Sequence, residues 1–126
     1  MTQPSRRPRR RSPRIGSRGT NRPKPDRPPA VVAVSPVEGA TEVRQTTLFA
    51  ELGPAFDGEL SFDNTPIPRD EVDRINTGNL RLSFTPGSGK QFSAFPPGRR
   101  CATVTFYPKA EGPAASSNYS WCFDLH

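Results

Sequence analysis

The chain predicts an all-β domain of two packed sheets, a β-sandwich, and three observations carry that expectation. Residues 99–125 read as one antiparallel hairpin: Ala102, Val104 and Phe106 alternate with Thr103 and Thr105, and Trp121, Phe123 and Leu125 alternate with Ser120, Cys122 and Asp124. This is the two-residue period of half-buried strands. Shorter runs of the same kind recur upstream, separated by glycine, proline, asparagine and aspartate, the residues that turn a chain. A lone hairpin with one apolar face is marginal in water, so the upstream strands must supply a second sheet to cover it.

The chain has 126 residues, one domain's worth, but its composition splits unevenly. Residues 1–29 hold ten basic residues against the single acid Asp26, a net charge of +9, and seven of the sixteen prolines. With Ile15 as its only branched aliphatic residue, this segment has nothing to offset the entropy of ordering and is predicted to be disordered. Residues 30–126 carry eight basic and eleven acidic residues, a net −3. The high isoelectric point therefore belongs to the tail, and the domain proper is residues 30–126.

Along the domain, residues 30–34 form a short apolar run ended by Ser35-Pro36 and read as a first strand, with Pro36 suited to an edge. A turn at Gly39 leads to a short extended piece. Leu48, Ala50 and Leu52 alternate with Thr47, Phe49 and Glu51, and Leu60 and Phe62 share a face before the turn Asp63-Asn64-Thr65-Pro66. Residues 68–75, with early acids and Val72 three before Ile75, are the one candidate for a helical turn. Leu80, Leu82 and Phe84 mark another strand, and residues 85–98 the longest loop. The expected core is Val32, Val34, Leu48, Ala50, Leu60, Phe62, Leu80, Leu82, Phe84, Ala102, Val104, Phe106, Trp121, Phe123 and Leu125.

Several short motifs then line up. Ser35-Pro36-Val37-Glu38-Gly39-Ala40 near the start, Pro97-Gly98 before the penultimate strand, and Tyr119-Ser120-Trp121-Cys122-Phe123 at the end together resemble bacterial immunoglobulin-like domains of surface and multidomain proteins. The resemblance spans most of residues 31–125. It implies an Ig-like Greek-key β-sandwich of about seven strands, and a non-enzymatic binding or spacer module with nothing catalytic.

The residues themselves point away from catalysis. Pro86-Gly87-Ser88-Gly89-Lys90 has the look of a phosphate loop, but Phe84 and Gln91 stand where that motif needs a glycine and a hydroxyl. The one histidine, His126, is terminal, so neither a nucleophilic triad nor a zinc site is assembled. Asp57, Glu59, Asp63, Asp70, Glu71 and Asp73 are numerous, but they fall in turn-like, solvated stretches rather than across a cleft. Neither a catalytic residue, a metal site nor a cofactor is expected.

Two features remain. Cys101 and Cys122 fall on the polar side of adjacent strands. If Ala102 faces Trp121 and Val104 faces Tyr119, the cysteines face each other with parity suited to a cross-strand bridge. Two reduced thiols, normal in a cytoplasmic protein, are the alternative. The arginine block Arg6, Arg7, Arg9, Arg10, Arg11, Arg14 and Arg18 is a polycation expected to bind nucleic acid or an anionic surface weakly and without sequence preference. A nucleic-acid-associated protein acting through this tail is the alternative function. Any more specific macromolecular partner is expected on the sandwich faces or the 85–98 loop. No apolar run reaches the roughly 20 residues of a membrane span, and no apolar stretch completes a signal peptide after the basic start. Cytoplasmic residence is the default expectation, with the cell surface the alternative for an incomplete N-terminus.

Overall fold

The computed structural model describes residues 27–126. Arg6, Arg7, Arg9, Arg10, Arg11, Arg14 and Arg18, expected to bind polyanions, lie outside the described residues. Among the described residues nine strands follow one another: β1 (Val31–Ser35), β2 (Thr41–Glu42), β3 (Leu48–Leu52), β4 (Phe56–Phe62), β5 (Thr65–Pro66), β6 (Asp73–Thr77), β7 (Asn79–Phe84), β8 (Gly98–Pro108) and β9 (Ser117–Leu125). Single 3-10 turns occupy Arg69–Glu71 and Pro113–Ala115. The strands form a four-stranded sheet in the order β1-β3-β7-β6 and a five-stranded sheet in the order β2-β9-β8-β4-β5.

Local chemistry explains the connections. Asp63 and Asn64 both take positive φ, 48° and 65°, a conformation that short polar side chains tolerate. They turn β4 directly into β5. Gly78, at φ 104°, does the same between β6 and β7, where Thr77 pairs with Asn79. In the long hairpin, Ala102 lies opposite Trp121, Val104 opposite Tyr119 and Cys101 opposite Cys122.

The alternating apolar rows of both sheets meet in one cluster. Leu48, Ala50 and Leu52 of β3, Leu82 and Phe84 of β7, Leu60 and Phe62 of β4, and Ala102, Val104, Trp121 and Phe123 of the hairpin are all fully buried. β4 closes on β8 at Gly58. A Cβ there would sit 2.4 Å from the Thr105 carbonyl oxygen and 3.1 Å from Leu52 Cδ1, so only glycine fits.

Several expectations are corrected. The Ig-like Greek-key sandwich of about seven strands, and with it the resemblance to immunoglobulin-like domains, does not describe this architecture. Nine strands form two open sheets that are not closed on one another, and β2 makes the larger sheet mixed by running parallel to β9. The added strands come from pieces too short or too polar to carry an alternation signal: β2 and β5 have two residues each, and β6 reads Asp-Arg-Ile-Asn-Thr. The helical turn expected over residues 68–75 shrinks to Arg69–Glu71, because the chain then extends to pair with β7. Val72 is buried, but Ile75 is left 49 % exposed on β6.

β1 also reverses the expected parity. Val31 is buried and Val32 is 42 % exposed, because an irregularity between Val31 and Ala33 shifts the register against β3. Val34 remains inside. The core further takes in Leu52, Ile67, Val72 and Phe95.

Candidate functional site

The outer face of the five-stranded sheet concentrates the domain's polar side chains, because residues that alternate with the core row must point away from it. Down its middle runs a hydroxyl and amide ladder. Thr103 Oγ1 and Ser120 Oγ are 2.8 Å apart, and Thr105 Oγ1 donates to Asn118 Oδ1 at 2.8 Å. Above this ladder Cys101 and Cys122 are joined as a disulfide, with Cα atoms 4.0 Å apart.

An ionic cluster stands at each end of the face. At one end Arg74 reaches from β6 to β4, with Nη2 2.5 Å from Asp57 Oδ1 and 2.9 Å from the Gly58 carbonyl. Arg69 pairs with Glu59 and lies 3.6 Å from Asp57 Oδ2. Tyr107 Oη donates to Asp57 Oδ2 at 3.3 Å. Burial pushes the Asp57 carboxyl up, but the Gly58 amide bond and the charges of Arg74 and Arg69 outweigh it and hold the carboxyl below its usual range. At the other end Arg100 Nη1 meets Asp63 Oδ2 at 3.0 Å, while its Nε and Nη2 donate to the Pro97 carbonyl.

On the opposite sheet Glu51 accepts from Asn79 at 2.8 Å and from Arg81 at 3.0 Å. The Arg81 guanidinium lies 4.1 Å from the Phe49 ring centroid. Those two hydrogen bonds, Asn79 first, lower the Glu51 carboxyl's pKa. A carboxyl used as a general acid near neutral pH would need the opposite shift.

The acidic candidates are therefore dispersed. Asp57 and Glu59 share β4 and its arginines, Asp63 belongs to Arg100, and Glu71 Oε1 accepts from the Gln91 amide at 2.7 Å. Among the described residues no group of three His, Cys, Asp or Glu side chains is placed to hold a metal ion.

The 85–98 loop, expected as a place for a partner, is anchored to the fold by its phenylalanines. Phe95 is fully buried and its ring stacks on Phe62 with centroids 4.3 Å apart. Phe92 packs edge-on against Phe62 at 5.2 Å. The Phe95 amide donates to the Arg44 carbonyl and Arg44 Nε donates back to the Phe95 carbonyl at 2.6 Å. Lys90 Nζ is held by the Thr85 carbonyl at 2.8 Å. Residues 88–91 at its tip stay exposed, as do Thr85, Ser93, Pro97 and Gly98, and the tip's lysine is turned back on its own backbone.

Sequence reasoning missed Arg69 and Arg74 as partners of β4. The signal for half of the cluster was present, since Asp57 and Glu59 alternate with Leu60 and Phe62 and so had to lie on the outer face. The arginines come from a segment whose strand conformation was not legible. Among the described residues no helix is long and apolar enough to cross a membrane. An immunoglobulin-like binding or spacer module rested on the seven-stranded architecture and goes with it. No protein-family model matches the chain, and no curated protein matches it in sequence.

Proposed function

We propose that this chain is a non-catalytic protein that engages polyanions through its arginine-rich N-terminal segment, with the β-domain as the folded body that carries it. One observation supports this above the rest: the domain's own arginines are already occupied. Arg69, Arg74, Arg81, Arg99 and Arg100 all pair with carboxylates of the same domain, and Arg44 is bonded to the Phe95 carbonyl. With a net −3 over residues 30–126 the domain repels a polyanion, whereas residues 1–29 carry +9. Attraction to phosphate arrays or to an anionic surface therefore falls to the N-terminal segment.

Such binding is sequence-blind and driven by counterion release. On a duplex the logarithm of affinity falls against that of salt with a slope no steeper than about −9, the limit for ten phosphate contacts. The bridge between Cys101 and Cys122 favours work in an oxidising compartment, which shifts the reading from the cytoplasmic default towards an anionic surface outside it. The test compares the full chain with residues 27–126, both titrated against a labelled duplex and against vesicles containing anionic lipid. The expected result is salt-sensitive binding by the full chain and none by the domain. Equal affinity of the two, or a clear preference for one duplex sequence, would place the binding on the domain instead.

A further inference from the structure

We infer that the chain associates with a second copy of itself by antiparallel pairing of β9 with β9, about a two-fold axis at Tyr119. The inference starts from the hydrogen bonds of β9. Its Cys122 sits opposite Cys101 with Cα atoms only 4.0 Å apart, the close spacing of a non-hydrogen-bonded pair. Even-numbered residues of β9 therefore turn their amides and carbonyls away from β8, towards the sheet edge.

That edge is occupied at one end. The Cys122 carbonyl accepts from the Gly39 amide at 2.8 Å, the Cys122 amide donates to Glu38 Oε1 at 3.0 Å, and the Asp124 amide donates to the Ala40 carbonyl at 2.8 Å. At the other end the Ser116 amide is tied to the Pro113 carbonyl at 3.1 Å. Between them the backbone amides and carbonyls of Asn118 and Ser120 have no partner among the described residues. Both residues are exposed.

Two donors and two acceptors two residues apart are self-complementary. In an antiparallel pair centred on Tyr119, Asn118 of each copy lies opposite Ser120 of the other. Each such pair exchanges two hydrogen bonds, so four bonds satisfy all eight open groups. The next hydrogen-bonding position on either side would bring Ser116 against Cys122, where both strands are already engaged. The opening thus has the length that self-pairing needs and no more.

Other edges are blunted in the ways that prevent such pairing. Arg27 Nε and Nη2 cover the Val31 and Val32 carbonyls of β1, each at 3.2 Å. Arg74 takes the Gly58 carbonyl of β4. β5 has two residues and ends in Pro66, and β6 carries Asp73 and Arg74. The open part of β9, Ser117 to Trp121, bears no charge, so a second copy meets no like charge across the seam. Val37, adjacent to Glu38 at the end of the opening, is 63 % exposed and adds an apolar side chain there. A contact this small belongs to the weak, transient class.

Sedimentation equilibrium of the full chain between about 10 μM and 1 mM, the range that resolves a weak dimer, should show a twofold rise in mass. Over the same range, exchange of the Asn118 and Ser120 amides should slow while that of loop amides such as Ser88 does not change. Ser120→Pro removes an outward N–H and leaves the backbone bonds between β9 and β8 in place, while losing the Ser120 hydroxyl's bond to Thr103. It should stay monomeric at 1 mM, at the top of that range, and keep the parent's far-UV circular dichroism. Should that variant fail to fold, Asn118→Lys with Ser120→Lys sets lysine against lysine across the seam and should also hold the chain monomeric. The inference is overturned by a monomer throughout the range, by a dimer that survives both variants, or by unprotected Asn118 and Ser120 amides in the dimer. It is equally overturned if the edge is taken only by a different protein.

Discussion

Replacing Phe95 by alanine separates a structural loop from a binding loop. The Phe95 ring is fully buried, stacked on Phe62 at 4.3 Å and flanked by Phe92 at 5.7 Å and Phe84 at 5.9 Å. Two of these rings come from different sheets, Phe62 from β4 and Phe84 from β7, so Phe95 plugs the space between them. Removing a buried phenyl ring costs about 3–5 kcal/mol in lost transfer energy and residual cavity. For a domain near 100 residues each kcal/mol lowers Tm by roughly 4–8 °C, so a fall of about 12 °C or more is expected. The sole tryptophan, Trp121, lies in the same core and reports unfolding by its fluorescence in a thermal or urea titration. Lys90→Ala in the same loop is the control, and as an exposed substitution it should stay within about 0.5 kcal/mol of the parent. A Phe95→Ala loss under about 1 kcal/mol, well below the cavity range, would refute the claim that this loop is part of the core.

Further outcomes follow from other contacts. Gly58→Ala forces a methyl group against the Thr105 carbonyl, with a backbone atom 2.4 Å away, and should cost about 1–3 kcal/mol as overpacking; urea denaturation checks it. Replacing Cys101 and Cys122 together by serine opens a loop with a sequence separation of 21 and should cost roughly 3 kcal/mol on the chain-entropy model, read as a lower Tm that added reductant no longer changes. Deleting residues 1–26 should leave Tm unaltered, whereas deleting 1–29 should lower it, because Arg27 covers two β1 carbonyls and the Val31 amide donates to the Pro28 carbonyl. Glu51 and Asp57 have folded pKa values below their unfolded ones. Their stabilisation is complete above the ordinary carboxylate range of about pH 4 and is lost as pH falls through the folded values. Glu51→Gln should accordingly flatten the acid limb of the stability profile measured by denaturant titration.

The two strands of the β8–β9 hairpin were legible from sequence because each alternates without interruption, but alternation fixes the face of a residue and not the register, so Cys101 opposite Cys122 was one possibility beside two free thiols, and the pairing of the strands decided it. The charge division between residues 1–29 and 30–126 was likewise a property of composition alone. The tertiary structure decided what alternation cannot express. Val31 rather than Val32 is buried because a local irregularity, invisible in an apolar run, shifts one residue of β1 against β3. Residues 73–77 extend instead of coiling because β7 offers them a ladder, and a polar segment has no periodicity of its own to announce that choice. Phe92 and Phe95 sit among prolines and glycines, where loop chemistry is the stronger local signal, and only the gap left between the two sheets draws them inside. The arginines of the β4 cluster were hidden for the same reason. Their partners are fixed by which strands become neighbours in space, a matter of long-range packing rather than of local propensity.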